Sequence, residues 1–187
     1  MANKSGRFFA GFGAALFLVT SSALTVGVIL TLNQSNNSTS TTNSSTGASG
    51  TTSTPSSTNI DPAGSYSVGH KLPGYTPLNK PLAQLELYDL VKGTGASVSA
   101  GSTVTADYVG ALADSGIVFD DSSAHGGAQT FSLNGVIKGW SLGIPGMKVG
   151  GVREIMIPAG LGYGSQSVSG IPANSDLVFW VRITAAK

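Results

Sequence analysis

Across residues 131–145 the hydrophobic period of the chain changes, and that change restricts the fold more than any other feature of the sequence. Phe131, Ser132 and Leu133 alternate apolar and polar as a half-buried strand does, whereas Val136, Ile137, Trp140 and Ile144 recur at the spacing of one helix face. Asn134-Gly135 supplies the turn between them, and Pro145-Gly146 ends the helix after roughly two turns. A helix that short is not stable alone in water, so a sheet must hold its apolar side, with Trp140 central to the contact. The helix start also offers chemistry, because its first backbone N–H groups have no partner inside the helix. Ile137 N–H is expected to be such a free donor.

Strand patterns surround this stretch. Residues 85–91 are strand-like and end at Lys92-Gly93-Thr94-Gly95, while 103–112 and 117–119 flank an Asp114-Ser115-Gly116 turn. Residues 151–157 and 176–184 give two more strands. About five strands with one short helix indicate an α+β fold, an antiparallel twisted sheet wrapped on that helix. In the last strand Leu177, Phe179, Val181 and Ile183 share one face, so Val178, Trp180 and Arg182 take the other. Trp140 and Trp180 are thus expected on opposite sides of the sheet.

The first third of the chain cannot build a core. Lys4 and Arg7 precede an uncharged run over residues 8–32, and 25 residues exceed the roughly 20 that a helix needs to cross a bilayer. Residues 1–32 read as a membrane anchor with its N-terminal end in the cytoplasm and the rest of the chain outside it. Ser21-Ser22-Ala23 would suit a signal peptidase, which would make the protein secreted, but the apolar run resumes at Leu24. Residues 33–59 are almost wholly Asn, Ser, Thr, Gly and Gln, and read as a disordered linker with a reach of about 30 Å. Residues 60–81 mix Tyr66, Leu72, Tyr75 and Leu78 with prolines and read as an extended lead-in, expected to cover Trp180. One folded domain remains, over 82–187.

Composition excludes several function classes. With no cysteine there is no disulfide framework, Cys-based metal site or lipidated thiol, and two histidines cannot form a cluster. Beyond residue 59, 8 Lys and Arg face 9 Asp and Glu without a basic run, which argues against nucleic acid as a partner. Gly139-Trp140-Ser141-Leu142-Gly143 fits the G-x-S-x-G elbow of serine hydrolases, but a helix starts where a buried strand should end, and no histidine follows His125. The glycines of Gly160-Leu161-Gly162-Tyr163-Gly164 lack the lysine and spacing of a phosphate cradle, and shape a loop that presents Tyr163.

Taken in order, Tyr108-Val109-Gly110, Phe119-Asp120, the 131–140 stretch, Gly146-Met147-Lys148-Val149-Gly150-Gly151 and Ala159-Gly160-Leu161-Gly162-Tyr163-Gly164 resemble the FKBP-type peptidyl-prolyl cis-trans isomerases. The resemblance covers roughly residues 82–187. It implies an FKBP-like fold and an enzyme that rotates Xaa-Pro bonds of extracytoplasmic polypeptides, so assisting their folding, without metal or cofactor. It implies Tyr108, Asp120, Ile137 and Tyr163 as the catalytic set, with Ile137 N–H and the Tyr163 hydroxyl holding substrate carbonyls and Asp120 accepting a hydrogen bond. Of the adjacent Asp120 and Asp121 only one can face the pocket, and the motif selects Asp120. Phe119, Phe131, Val136, Trp140, Ile171 and Phe179 are implied as the substrate-binding wall. Macrolide inhibitors are implied as further ligands, and a monomer is the default. Gln129 stands where many members carry an aromatic, and residues 165–169 lack the histidine or aromatic often found there, which bears on substrate preference and macrolide binding. The rival expectation is a tethered module that binds proline-containing segments without turnover.

Overall fold

β-Branched and aromatic residues alternating with polar ones build most of the strands that the sequence leads one to expect. The computed structural model describes residues 61–187. The expected anchor at 1–32 and linker at 33–59 lie outside the described residues, as does residue 60. The strands are β1 (Glu86–Val91), β2 (Thr103–Leu112), β3 (Val118–Asp121), β4 (Gln129–Ser132), β5 (Val152–Ile157) and β6 (Leu177–Ala186), with one helix, α1 (Lys138–Gly143). The sheet has six strands where about five were expected, all pairs antiparallel, in the order β1-β5-β6-β2-β3. The sixth, β4, pairs with residues 103–106 of β2, whereas β3 pairs with residues 109–111 of the same strand. The chain leaves the sheet between β3 and β4, opposite Asp107 and Tyr108.

The two faces of the sheet carry separate cores. On the helix side Val104, Tyr108, Ile155, Ile157, Leu177, Phe179 and Val181 pack with Trp140 and Ile144. On the back Val109, Ala111, Met156, Val178 and Trp180 pack with Leu72, and Tyr66, Tyr75 and Leu78 close over them. The two tryptophans do lie on opposite faces, and Tyr66 meets Trp180 edge to face at 6.4 Å between centroids. Burying a side chain of that size removes roughly 150–250 Å² from water, about 4–6 kcal/mol before entropy is counted. Trp180 Nε1–H donates to Glu154 Oε2 at 2.7 Å, and burial pushes the Glu154 carboxyl above its usual range.

The segment before β1 forms a strap. Gly69 N–H donates to Val118 O, Leu72 N–H to Gly116 O and Leu78 N–H to Ala113 O, each at 2.8 Å, so it is stitched along the β2–β3 hairpin. Among the described residues no helix is long and apolar enough to cross a membrane.

Helix α1 is shorter than its period suggested. It starts at Lys138, and Ile137 precedes it with φ −57° and ψ 151°, an extended conformation. Val136 and Ile137 are nonetheless buried with Trp140 and Ile144. The period had registered burial, which the preceding turn supplies as well as a helix does. No side chain caps the N-terminus, and at the other end Arg153 Nη1 donates to Gly143 O at 2.6 Å. Two glycines bring the helix onto the sheet. A Cβ on Gly139 would lie 2.5 Å from Ile157 side-chain carbons, and one on Gly143 would lie 3.0 Å from those of Ile155 and Leu87.

Candidate active site

The site forms where β2, β3, β4, β6 and α1 bring aromatic rings onto one tryptophan. Trp140, pointing from α1 into the sheet, meets Tyr108, Phe131 and Phe179 edge to face, with centroids 5.5, 5.3 and 5.3 Å away. Phe119 packs on Phe179 at 5.5 Å and Phe131 on Tyr108 at 5.8 Å, again edge to face. In this arrangement the positive edge of one ring faces the negative face of the next, each pair contributing about 0.5–1.5 kcal/mol beyond burial. Gly110 makes it possible, because a Cβ there would lie 2.6 Å from Phe179 and 2.7 Å from Phe119. Tyr108, Trp140 and Phe179 are at most 1% exposed, whereas Phe119, Phe131 and Tyr163 are half-buried. A ligand therefore meets the outer rings first, with Trp140 beneath them as their common support. Val136, Ile137 and Ile171 are buried in the same cluster.

Ile171 reaches it through a tight loop in which Val168 and Ile171 exchange backbone hydrogen bonds of 3.0 and 2.8 Å. Asn174, just beyond, is the one non-glycine residue among those described with a positive φ, at 59°. Tyr163 follows a single 3-10 turn, Ala159–Leu161, and packs against the cluster.

The polar groups gather around Asp120. Tyr108 donates its hydroxyl to Asp120 Oδ2 at 2.8 Å, and His125 Nε2 lies 2.8 Å from Oδ1. Burial, and then the Asp120 charge, push the Tyr108 phenol well above its ordinary range. The same causes in the same order push Tyr163 up to about 12. Both phenols therefore remain protonated donors at neutral pH. Tyr108 spends its proton on Asp120, but the Tyr163 hydroxyl donates to no acceptor among the described residues, and neither does Ile137 N–H. Ile137 owes this to its place just before the helix, a correction of one residue to the expected reason, since its amide precedes the first helical turn.

All ten expected residues are thus placed on or beside one cluster: Tyr108, Asp120 and Tyr163 with the polar groups, Ile137 buried in the cluster itself, and Phe119, Phe131, Val136, Trp140, Ile171 and Phe179 in the apolar wall. His125 was not anticipated. It lies five residues beyond Asp120, and only the 3-10 turn Ser122–His125 folds it back. Gln129 proves to be a loop staple, its Nε2 donating to Gly127 O at 2.7 Å and His125 O at 3.0 Å. Asp121 faces away from the cluster, as the alternation of side chains required. A separate surface cleft lined by Asp89, Lys92, Met147 and Lys148 shares none of these residues.

The family model for FKBP-type peptidyl-prolyl cis-trans isomerase matches residues 95–184. The chain is similar to FK506-binding protein 4 of Aspergillus fumigatus, 44% identical over 110 residues that make up 58% of this chain and 22% of that protein. It is also similar to FK506-binding protein 4 of Saccharomyces cerevisiae, 46% identical over 101 residues, 53% of this chain and 25% of that one. The match thus spans about a quarter of the length of these curated relatives. Among solved structures, FkpA from Escherichia coli aligns at 37% identity with a TM-score of 0.53, covering 63% of this chain and 53% of that one. AtFKBP13 aligns at 34% identity with a TM-score of 0.52, covering 57% of this chain and 96% of that one.

Proposed function

Because the chain belongs to the FKBP-type peptidyl-prolyl cis-trans isomerases, we propose that it accelerates rotation about Xaa-Pro bonds in polypeptides. The observation that carries this is a pair of donors, Ile137 N–H and the Tyr163 hydroxyl, without acceptors among the described residues and set against an aromatic cluster. The barrier to amide rotation, about 18–20 kcal/mol, comes from resonance that places partial charge on oxygen and nitrogen. Water favours that planar, polar form. Rings that take the amide out of water favour the twisted form, in which the charge separation is lost. Phe119, Phe131 and the residues beneath them hold the proline ring, while Ile137 N–H and Tyr163 hold the flanking carbonyls. Asp120, oriented by Tyr108 and His125, presents a fixed negative charge beside the bond. Binding that is tighter to the twisted amide than to the planar one supplies the rate, and no covalent intermediate forms.

We further propose that residues 1–32 anchor the protein and 33–59 tether it, placing the domain outside the cytoplasm. There it would assist the folding of proline-containing clients as a monomer. The uncharged 25-residue run behind Lys4 and Arg7, and the polar tract after it, support this. The names of the curated relatives support macrolide binding at the same rings.

A protease-free assay on an Xaa-Pro peptide tests the activity. The full chain should raise the cis-to-trans rate in proportion to its concentration. Saturable peptide binding by folded protein with no change in that rate would make the domain a binding module.

A further inference from the structure

Asp121 takes no part in this chemistry, yet it has no solvent exposure at all. Among the described residues no cationic side chain pairs with it. Three donors hold its carboxylate instead. Ser123 N–H reaches Oδ1 at 2.9 Å, Ser123 Oγ reaches Oδ2 at 2.7 Å, and Tyr66 N–H reaches Oδ2 at 2.7 Å. The last comes from the strap, 55 residues earlier in the chain. A buried anion with so few partners is sensitive to the loss of any one.

The backbone amide of Asp121 in turn donates to Asp120 Oδ1 at 2.9 Å, the oxygen that His125 also meets. The next residue is fixed from the other side, since Ser122 Oγ accepts from Tyr108 N–H at 3.0 Å. The strap thus reaches the functional carboxylate in two steps, Tyr66 N–H to the Asp121 side chain and Asp121 N–H to Asp120. It is anchored beside this point by Gly69 N–H to Val118 O at 2.8 Å and Val118 N–H to His70 O at 2.9 Å.

We propose that Asp121 is a positioning residue for the isomerase site, and that the strap completes the site from behind by fixing Asp121 through the Tyr66 amide. This rests on the isomerase reading. The strap then has two separable roles, since its side chains cover Trp180 while its backbone at Tyr66 sets the end of β3. A charge that must sit beside a twisting amide is sensitive to small displacements, and shifts of 1 Å in such groups can cost roughly a hundredfold in rate.

The test uses the full chain with three substitutions, each made alone and in an Asp120→Asn background. Tyr66→Ala keeps the amide and sheds the ring, so it calibrates the loss due to the back-face core. Tyr66→Pro removes the amide as well, and Asp121→Asn turns one acceptor into a donor. Against Tyr66→Ala, both Tyr66→Pro and Asp121→Asn should lower kcat about tenfold while moving KM little. In an Asp120→Asn background the extra loss should vanish, because it acts through Asp120. The Asp120 carboxyl carbon resonance, followed by NMR, should shift in Tyr66→Pro and Asp121→Asn but not in Tyr66→Ala. Should Asp121→Asn fail to fold, the Tyr66 pair decides. Equal kcat in Tyr66→Pro and Tyr66→Ala, additive losses with Asp120→Asn, or an unmoved Asp120 resonance would each overturn the proposal. A parent chain without isomerase activity would overturn the isomerase reading instead, and the Asp120 resonance, which needs no turnover, would still decide whether the strap positions that carboxylate.

Discussion

A neutral hydrogen bond contributes about 0.5–1.5 kcal/mol net, and the Tyr163 hydroxyl is placed to offer one to substrate. Tyr163→Phe should therefore lower kcat/KM by about two- to twelvefold with an unchanged melting temperature, because that hydroxyl has no partner to lose among the described residues. Glu154 gives the residue-scale test on the other face. Its folded pKa lies above the unfolded value through burial, so the folded state holds the proton more tightly, and stability should fall as pH rises from about 4.5 through the folded pKa. Glu154→Gln keeps a carbonyl acceptor for Trp180 Nε1–H without a charge. Its melting temperature should exceed the parent's by a margin that widens from pH 4.5 to neutrality; a margin constant with pH would contradict the assignment. At this scale a motif pointed to Asp120 and Tyr163, and the structure sets both beside the aromatic rings. The sequence was silent on His125, because nothing local shows that a four-residue turn returns an imidazole to the carboxylate five positions before it.

For the elements, apolar alternation located five of the six strands and set Trp140 and Trp180 on opposite faces. It passed over β4 as a full strand because Gln129 and Thr130 continue no apolar pattern; pairing with Thr105 and Ala106 of β2 makes them a strand. It also began α1 too early, since a turn that buries Val136 and Ile137 leaves the same imprint as a helix face. The close seat of α1 yields a prediction against propensity. Alanine favours an exposed helix over glycine by up to about 1 kcal/mol, yet at Gly139 the new Cβ would sit 2.5 Å from Ile157. Gly139→Ala should destabilise the domain by about 1–3 kcal/mol in chemical denaturation, and the same substitution should cost less when made in an Ile157→Ala background, where the clash is gone. Equal or greater stability for the single variant would mean that the helix does not need its close approach.

At the level of the whole molecule the chain divides by what each part can bury. Residues 60–187 contain both cores and every site residue, so this fragment should fold cooperatively and retain the isomerase activity of the full chain. If residues 1–32 anchor the chain as proposed, the full chain should sediment with membranes and remain there in high salt, because an apolar span is insensitive to screening; release by salt would point to a peripheral attachment. Whether Ile137 N–H holds a substrate carbonyl while the adjoining rings favour the twisted bond can be read in a single NMR experiment. An Xaa-Pro peptide is added to isotope-labelled protein, and the Ile137 amide proton is followed together with cis–trans exchange peaks of the peptide. Donation from Ile137 to the substrate should move its amide proton downfield until the peptide saturates, with exchange faster than in the free peptide. Enhanced exchange with the Ile137 amide unmoved at saturation would contradict that role.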